Sequence, residues 1–164
     1  MPAKTLTVLF TPLDGWGHIN ACHGLAQELQ TRGHRIVFAV DRAFKGKLTP
    51  FGFEEELHGI ISEDSGEYWP QFMEKYCHVL KEEPLAIAEK FFLAAATKMF
   101  ADNKDRDVQY QDIIDRVKPD VIITDNYICS PTLTNSGIPW IWLFSAAPHL
   151  GLNDTRIPPT WSGQ

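Results

Sequence analysis

Cysteine is scarce in this sequence of 164 residues, and its placement excludes two kinds of cross-link. Cys22, Cys77 and Cys129 are odd in number and widely spaced, with no CxxC pair and no short-range Cys/His ligand set. This pattern argues against a disulfide framework and against a zinc site. Free thiols are typical of a reducing compartment.

Clustered positive charge and long apolar runs are also missing, which excludes further partners. The formal net charge is −6 with no basic cluster, so we expect neither nucleic acid nor a membrane surface as a partner. No run reaches the roughly 18 apolar residues of a membrane span. The first apolar run ends at Pro12 without a small-residue cleavage pattern, which indicates a strand rather than a signal peptide. We therefore expect a cytosolic protein.

Short apolar runs alternate with helical patterns along the chain. A length of 164 residues suits one domain with a sizeable core. The alternation predicts an α/β fold, a Rossmann-like parallel sheet flanked by helices. The predicted strands are 5–11, 34–40, 51–57, 120–125 and 139–145, and the weakest of them is 51–57.

The predicted helices fall between these strands. The first ends at Gly33, a second is interrupted by Pro70, and a third begins at Pro84. We expect a mobile loop at 58–67 and a loop-like tail at 151–164. The predicted helices are 18–32, 42–48, 67–83, 84–102, 107–117 and 130–136.

Ligands of such sheets bind outside the carboxyl ends of the strands, so the loops there matter most. The first loop reads TPLDGWGH. It lacks both GxGxxG and the GK[ST] of a phosphate loop, which disfavours a dinucleotide or triphosphate cradle. Gly15 and Gly17 still permit a tight turn and the close approach of a ligand.

His18 and Asp125 are the candidate catalytic pair. His18 stands at the start of the first helix, where the helix dipole favours the neutral imidazole that a general base requires. Asp125 ends the fourth strand. If strands one and four are neighbours, the carboxylate would orient the imidazole. The alternatives are a histidine bonded to backbone and a capping acid.

Candidate substrate-binding residues surround this pair. The set is Trp16, Gly17, Phe91, Phe144 and Ser145. The aromatic residues could instead be packing, and Ser145 could be an ordinary loop hydroxyl.

For three other residues the sequence gives a weaker indication of a functional role. Asp14 is either a turn acid or part of the pocket lining. His23 and His34 are expected to be packing or surface histidines.

Two blocks of the sequence resemble one family. VLFTPLDGWGHINACHGLAQELQTRGHRIVFAV and KPDVIITDNYICSPTLTNSGIPWIWLFSAAP are similar to the N-terminal domain of the UDP-glycosyltransferases of plants, microbial macrolide pathways and animal detoxification. The shared features are GH before a helix, the LAxxLxxRGH pattern, an aspartate ending one strand and a hydroxyl after the next. The resemblance covers about residues 5–48 and 113–148.

This resemblance implies a GT-B fold, in which two Rossmann-like domains face a cleft. Residues 1–164 would be a single acceptor-binding domain, incomplete at its C-terminus, with the donor-binding domain absent. His18 would deprotonate the acceptor, Asp125 would orient His18, and Ser145 would reach the phosphate or sugar of the donor. The implied reaction inverts the sugar, uses a UDP-sugar as co-substrate, acts on small apolar hydroxylated acceptors, and needs no cofactor and no metal.

Two departures from the family qualify this expectation. Ala21 stands where proline is common, and the UDP-binding signature of the second domain is missing. We therefore expect the chain to be inactive, or nearly so, alone. The alternatives are a non-catalytic small-molecule-binding module, a subunit of a split transferase that needs a separate donor-binding chain, or an unrelated α/β enzyme using His18.

Overall fold

The strands of this protein form one parallel sheet, as the alternating pattern predicts. The computed structural model describes residues 4–59, 68–146 and 156. The strands are β1 (Thr7–Pro12), β2 (Arg35–Asp41), β3 (Glu54–His58), β4 (Val121–Asp125) and β5 (Trp140–Trp142). Their spatial order is β3-β2-β1-β4-β5. This Rossmann-like winding makes β1 and β4 neighbours.

Helices cover both faces of the sheet. The helices of the described segments are α1 (Trp16–Thr31), α2 (Tyr68–Tyr76), α3 (Pro84–Ile87), α4 (Leu93–Val117) and α5 (Pro131–Thr134). Short 3₁₀ turns occupy Arg42–Phe44, Thr49–Phe51 and Cys77–Lys81, and a π turn at Ala88–Phe92 joins α3 to α4. Within the described part of the chain, no helix is long and apolar enough to cross a membrane.

The core has two layers, one on each face of the sheet. Val8 and Phe10 of β1 point to the face covered by α1, and Leu9 points to the face covered by α4 and α5. Alternate residues of a strand face opposite sides, so a strand buried on both faces is apolar throughout. This explains why the strands appear in the sequence as short unbroken apolar runs.

The prediction of separate helices at 84–102 and 107–117 is wrong, because α4 runs unbroken through the polar stretch between them. Asn103 and Arg106, which lie in this stretch, are both buried. Arg106 Nη1 lies 2.6 Å from Asp14 Oδ2. The polar residues therefore mark a buried contact of the helix rather than its end.

Several predicted boundaries shift. The third strand begins at Glu54 because Thr49–Phe51 forms a 3₁₀ turn, and the predicted helix at 42–48 is a single 3₁₀ turn. The fifth strand is three residues long and lies at the sheet edge, where its side chains are exposed. The expected loop at 58–67, from residue 60 onward, and the tail at 151–164, apart from 156, lie outside the described residues.

The end of α4 generates a stability prediction. Lys118 is the only non-glycine residue of the described segments with a positive φ, 50°, and its N–H donates to the carbonyl of Ile114. A left-handed conformation costs a residue with a side chain about 1–2 kcal/mol, and glycine avoids most of this cost. We expect Lys118→Gly to raise the free energy of unfolding by up to about 1 kcal/mol in urea titrations. Lys118→Ala, which keeps the Cβ, should bring no such gain. Equal stability of the two variants would contradict this explanation.

Candidate active site

The loop after β1 places His18 in the first turn of α1. Gly15 is the extended N-cap residue, and the helix begins at Trp16, two residues before the predicted start. His18 is therefore the third helical residue rather than the first. Its ring lies beside the carboxyl ends of the central strands, where ligands of such sheets bind.

Asp125 reaches the same edge because β4 pairs directly with β1. Pro12 and Asp125 are partners in the register, and the Leu13 N–H donates to the Asp125 carbonyl over 2.7 Å. The adjacency of strands one and four that the sequence analysis assumed is confirmed. It carries the carboxylate to the start of α1.

The two side chains are in hydrogen-bond contact. His18 Nδ1 lies 3.0 Å from Asp125 Oδ2, with Asp125 only 2% exposed and the His18 side chain 18% exposed. Burial alone raises the pKa of Asp125, but hydrogen bonds from His18 and Ser145 outweigh it and hold that pKa below its usual value. Because an ionised carboxylate only accepts, the contact favours the tautomer with the proton on Nδ1.

Ser145 completes a three-residue cluster with His18 and Asp125. Its backbone N–H donates to Asp125 Oδ1 over 3.1 Å, and its hydroxyl oxygen lies 3.1 Å from His18 Nδ1. The hydroxyl and the carboxylate therefore meet the same ring nitrogen. This contact leaves Nε2 as the ring nitrogen available to a ligand.

Aromatic side chains line the approach to this cluster. Tyr127 stands edge-on to His18, with ring centroids 5.5 Å apart, and Phe144 stands edge-on to Tyr127 at 6.0 Å. Tyr127 is not among the binding residues predicted from the sequence. Its position two residues after Asp125, in a loop at the carboxyl end of a strand, could have indicated a binding residue.

The other predicted binding residues lie at different places. Trp16 is 51% exposed and stands edge-on to Phe44, and a Cβ added at Gly17 would meet open space. Both precede His18 in the same helical turn. The ring contacts described for Phe91 are with Phe72 and Phe92 in the helical middle, and none joins it to His18.

His23 and His34 pack within the structure, as the sequence predicts. His34 accepts a hydrogen bond from the Leu6 backbone N–H, and His23 packs edge-on against Phe51 and Phe53. Both contacts are structural, and neither brings its ring to the His18 cluster.

Asp14 belongs to a second polar cluster at the same sheet edge. Its Oδ1 accepts from the Asp41 backbone N–H over 2.8 Å, and its Oδ2 pairs with Arg106. Burial raises the pKa of Asp14 in spite of the Arg106 charge. Asp14 is therefore neither a simple turn acid nor an open pocket residue. It ties the loop that carries His18 to β2 and α4.

His58 lies at the centre of this second cluster. It is fully buried, and neither ring nitrogen has a hydrogen-bond partner among the described residues. Its Nε2 lies 3.9 Å from Asp14 Oδ1. Asp14, Asp41 and His58 each present one atom suited to a metal ion, and these atoms lie within 4.8 Å of one another.

Comparison with known proteins finds matches in structure only. No protein-family model matches the sequence, and no curated protein matches it significantly. The solved structures that match include the glycotransferase of kitacinnamycin, with 19% identity and a TM-score of 0.57. CalG4, the calicheamicin glycosyltransferase, matches with 22% identity and a TM-score of 0.61. SsfS6, a Streptomyces sp. SF2575 glycosyltransferase, matches with 18% identity and a TM-score of 0.59.

The matches cover most of this chain but only about a third of each matched protein. They cover 88%, 87% and 84% of this chain, in the order given. This chain has the Rossmann-like α/β fold found in one part of these GT-B glycosyltransferases. It spans only 31%, 33% and 38% of the length of those three proteins. At identities this low the likeness is one of fold alone.

Burial of His58 generates a pH prediction. Burial and the Arg106 charge lower its pKa from 6.5 to about 3. The unfolded chain therefore binds a proton that the folded chain does not, and stability is lost as the pH falls from about 6.5 toward 3. At pH 5 this loss amounts to about 2 kcal/mol.

We expect His58→Phe to remove this loss, measured as the free energy of unfolding in a chelator at pH 7 and pH 5. His78→Gln, which changes an exposed histidine, should keep the wild-type pH dependence. The explanation is wrong if His58→Phe loses as much stability as the wild type between the two pH values.

Proposed function

We propose that this chain is the acceptor-binding half of an inverting glycosyltransferase that uses a UDP-sugar. The observation that carries the proposal is the 3.0 Å contact between His18 and the buried Asp125. In a glycosyltransferase fold, a histidine held in this way is suited to accept a proton from a hydroxyl group at its free nitrogen. His18 is then the general base, and Asp125 orients it.

The proposed reaction transfers one proton and one sugar. The acceptor hydroxyl donates its proton to His18 Nε2 while its oxygen forms a bond to the anomeric carbon of the sugar. The bond from that carbon to the UDP oxygen breaks, and UDP leaves with the bonding electrons. Attack from the face opposite the leaving group inverts the anomeric carbon. Asp125 stabilises the imidazolium formed in this step.

The surroundings of His18 favour a small, apolar, hydroxylated acceptor. Tyr127 is 45% exposed and stands edge-on to His18, and Phe144 packs against Tyr127. Small-molecule sites are mostly apolar, with few polar groups that fix orientation. Aromatic rings beside one imidazole supply this combination. A polar or charged acceptor would find few partners on these rings.

The donor is proposed to meet this half at Ser145. The Ser145 residue is exposed and its hydroxyl oxygen lies 3.1 Å from His18 Nδ1, which supports a contact with a phosphate or sugar oxygen of the donor. Most of the UDP-sugar would be bound by a further domain or by a partner chain. The free cysteines, of which Cys77 and Cys129 are exposed, support a cytosolic location for the reaction.

The proposal predicts the outcome of a turnover assay with UDP-glucose and a phenolic acceptor. The chain alone should give negligible transfer, since the donor-binding half is missing from the assay. When a donor-binding domain is joined to the chain, transfer should appear. His18→Ala should then lower kcat by about 10²–10⁴-fold.

The matched control is His78→Gln, an exposed histidine on another segment, which should leave kcat unchanged. Two results would contradict the proposal. One is transfer by the chain alone at the rate of a two-domain enzyme. The other is full activity of His18→Ala in the joined enzyme.

A further inference from the structure

Three potential ligand residues lie at the ends of three neighbouring strands. Asp14 follows β1 by two residues, Asp41 is the last residue of β2, and His58 is the last residue of β3. Asp41 and His58 are partners in the register between β2 and β3. The topology therefore brings together residues that are 27 and 17 positions apart in the sequence. They meet at the edge where parallel sheets bind ligands.

His58 is the observation that points to a ligand. Its side chain has no exposed surface, and neither Nδ1 nor Nε2 makes a hydrogen bond of normal geometry in the part of the chain described, although the Ala39 backbone lies near the ring. Leaving a buried polar group unpaired is destabilising, and such groups are uncommon in native proteins. Nε2 faces Asp14 Oδ1 at 3.9 Å, too far for a hydrogen bond. This separation suits two atoms that share a metal ion.

Hydrogen bonds hold both carboxylates in place, and Asp14 Oδ1 accepts from the Asp41 backbone N–H. Arg106 holds Asp14 Oδ2, and the Ala43 backbone N–H donates to Asp41 Oδ1 over 2.9 Å. Asp41 Oδ2 lies over Gly59, where an added Cβ would come within 2.3 Å of it. Glycine at position 59 thus leaves the space that this carboxylate occupies. Asp14 Oδ1, the oxygen that faces His58, keeps one acceptor position beyond its hydrogen bond from the Asp41 backbone N–H.

We propose that Asp14, Asp41 and His58 bind a divalent transition-metal ion, with zinc as the preferred ion. Zinc binds histidine nitrogen and carboxylate oxygen at about 2.0–2.2 Å, so two of its ligand atoms lie up to about 4 Å apart. The 3.9 Å separation already meets this limit, and the 4.8 Å bound requires less than about 1 Å of side-chain adjustment. Imidazole among the ligands favours zinc over magnesium or calcium.

The charges around the three residues determine the affinity of the proposed site for a metal ion. Two carboxylates attract the ion, whereas the guanidinium of Arg106 opposes it and Arg42 contacts the Gly59 carbonyl nearby. We therefore expect weaker binding than at a zinc site without a neighbouring arginine. The bound ion would link the loop that carries His18 to the ends of β2 and β3. This role does not depend on the proposed transferase reaction.

The test uses the full chain, treated with EDTA and dialysed, and titrated with zinc by isothermal calorimetry and with cobalt by visible absorption. The wild type should bind one ion per chain, show cobalt bands and unfold at a higher temperature with zinc. His58→Phe should lose the binding yet remain folded in EDTA, because phenylalanine has no polar atom to satisfy. Asp41→Asn should weaken binding at least about tenfold.

The matched control is His78→Gln, since exposed His78 and the neighbouring Cys77 could bind zinc at the surface. This variant should bind as the wild type does. The proposal is overturned if no saturable binding occurs below about 1 mM ion. It is also overturned if His58→Phe and Asp41→Asn both bind like the wild type, or if His78→Gln alone loses the binding.

Discussion

The pairing of β1 with β4 is the constraint on which the candidate site depends. The two strands are separated by more than a hundred residues, yet their register sets Pro12 against Asp125. The chain leaves β1 through a short loop into α1, and this path brings His18 over the end of β4. The contact between His18 and Asp125 follows from the strand order, because any other neighbour for β1 would remove the carboxylate from the imidazole.

A buried ion pair holds the loop between these elements. Asp14 and Arg106 join the loop to α4, and the Asp41 backbone N–H joins the same carboxylate to β2. Removing one partner of a buried pair usually costs more than the pair contributes, since it leaves an unpaired charge. The loop before α1 is thus fixed from two sides. A base must be positioned within hydrogen-bond reach of the proton it takes, and a fixed loop meets this requirement.

The strands and the two site residues could be predicted because each has a local signal, whereas the contact between His18 and Asp125 depended on the assumed adjacency of strands one and four. Unbroken apolar runs mark strands buried on both faces, and Asp125 stands out as the acid that ends one of them. The continuity of α4 was not predictable, because the burial of Arg106 depends on a partner 92 positions away. The burial of His58 beside Asp14 and Asp41 could not be predicted either, because these residues are distant in the sequence. Single-sequence patterns do not show which polar residues meet across the fold.

The tautomer of His18 tests the central claim most directly. Asp125 and Ser145 compete for one ring nitrogen, and only the hydroxyl can donate to it. We predict, by ¹⁵N NMR of the ring, a proton on Nδ1 and a free Nε2. Asp125→Asn should abolish this preference, and Asp115→Asn, at an exposed position on α4, should retain it. A wild-type proton on Nε2, with Nδ1 accepting from Ser145, would contradict the assignment of His18 as the base.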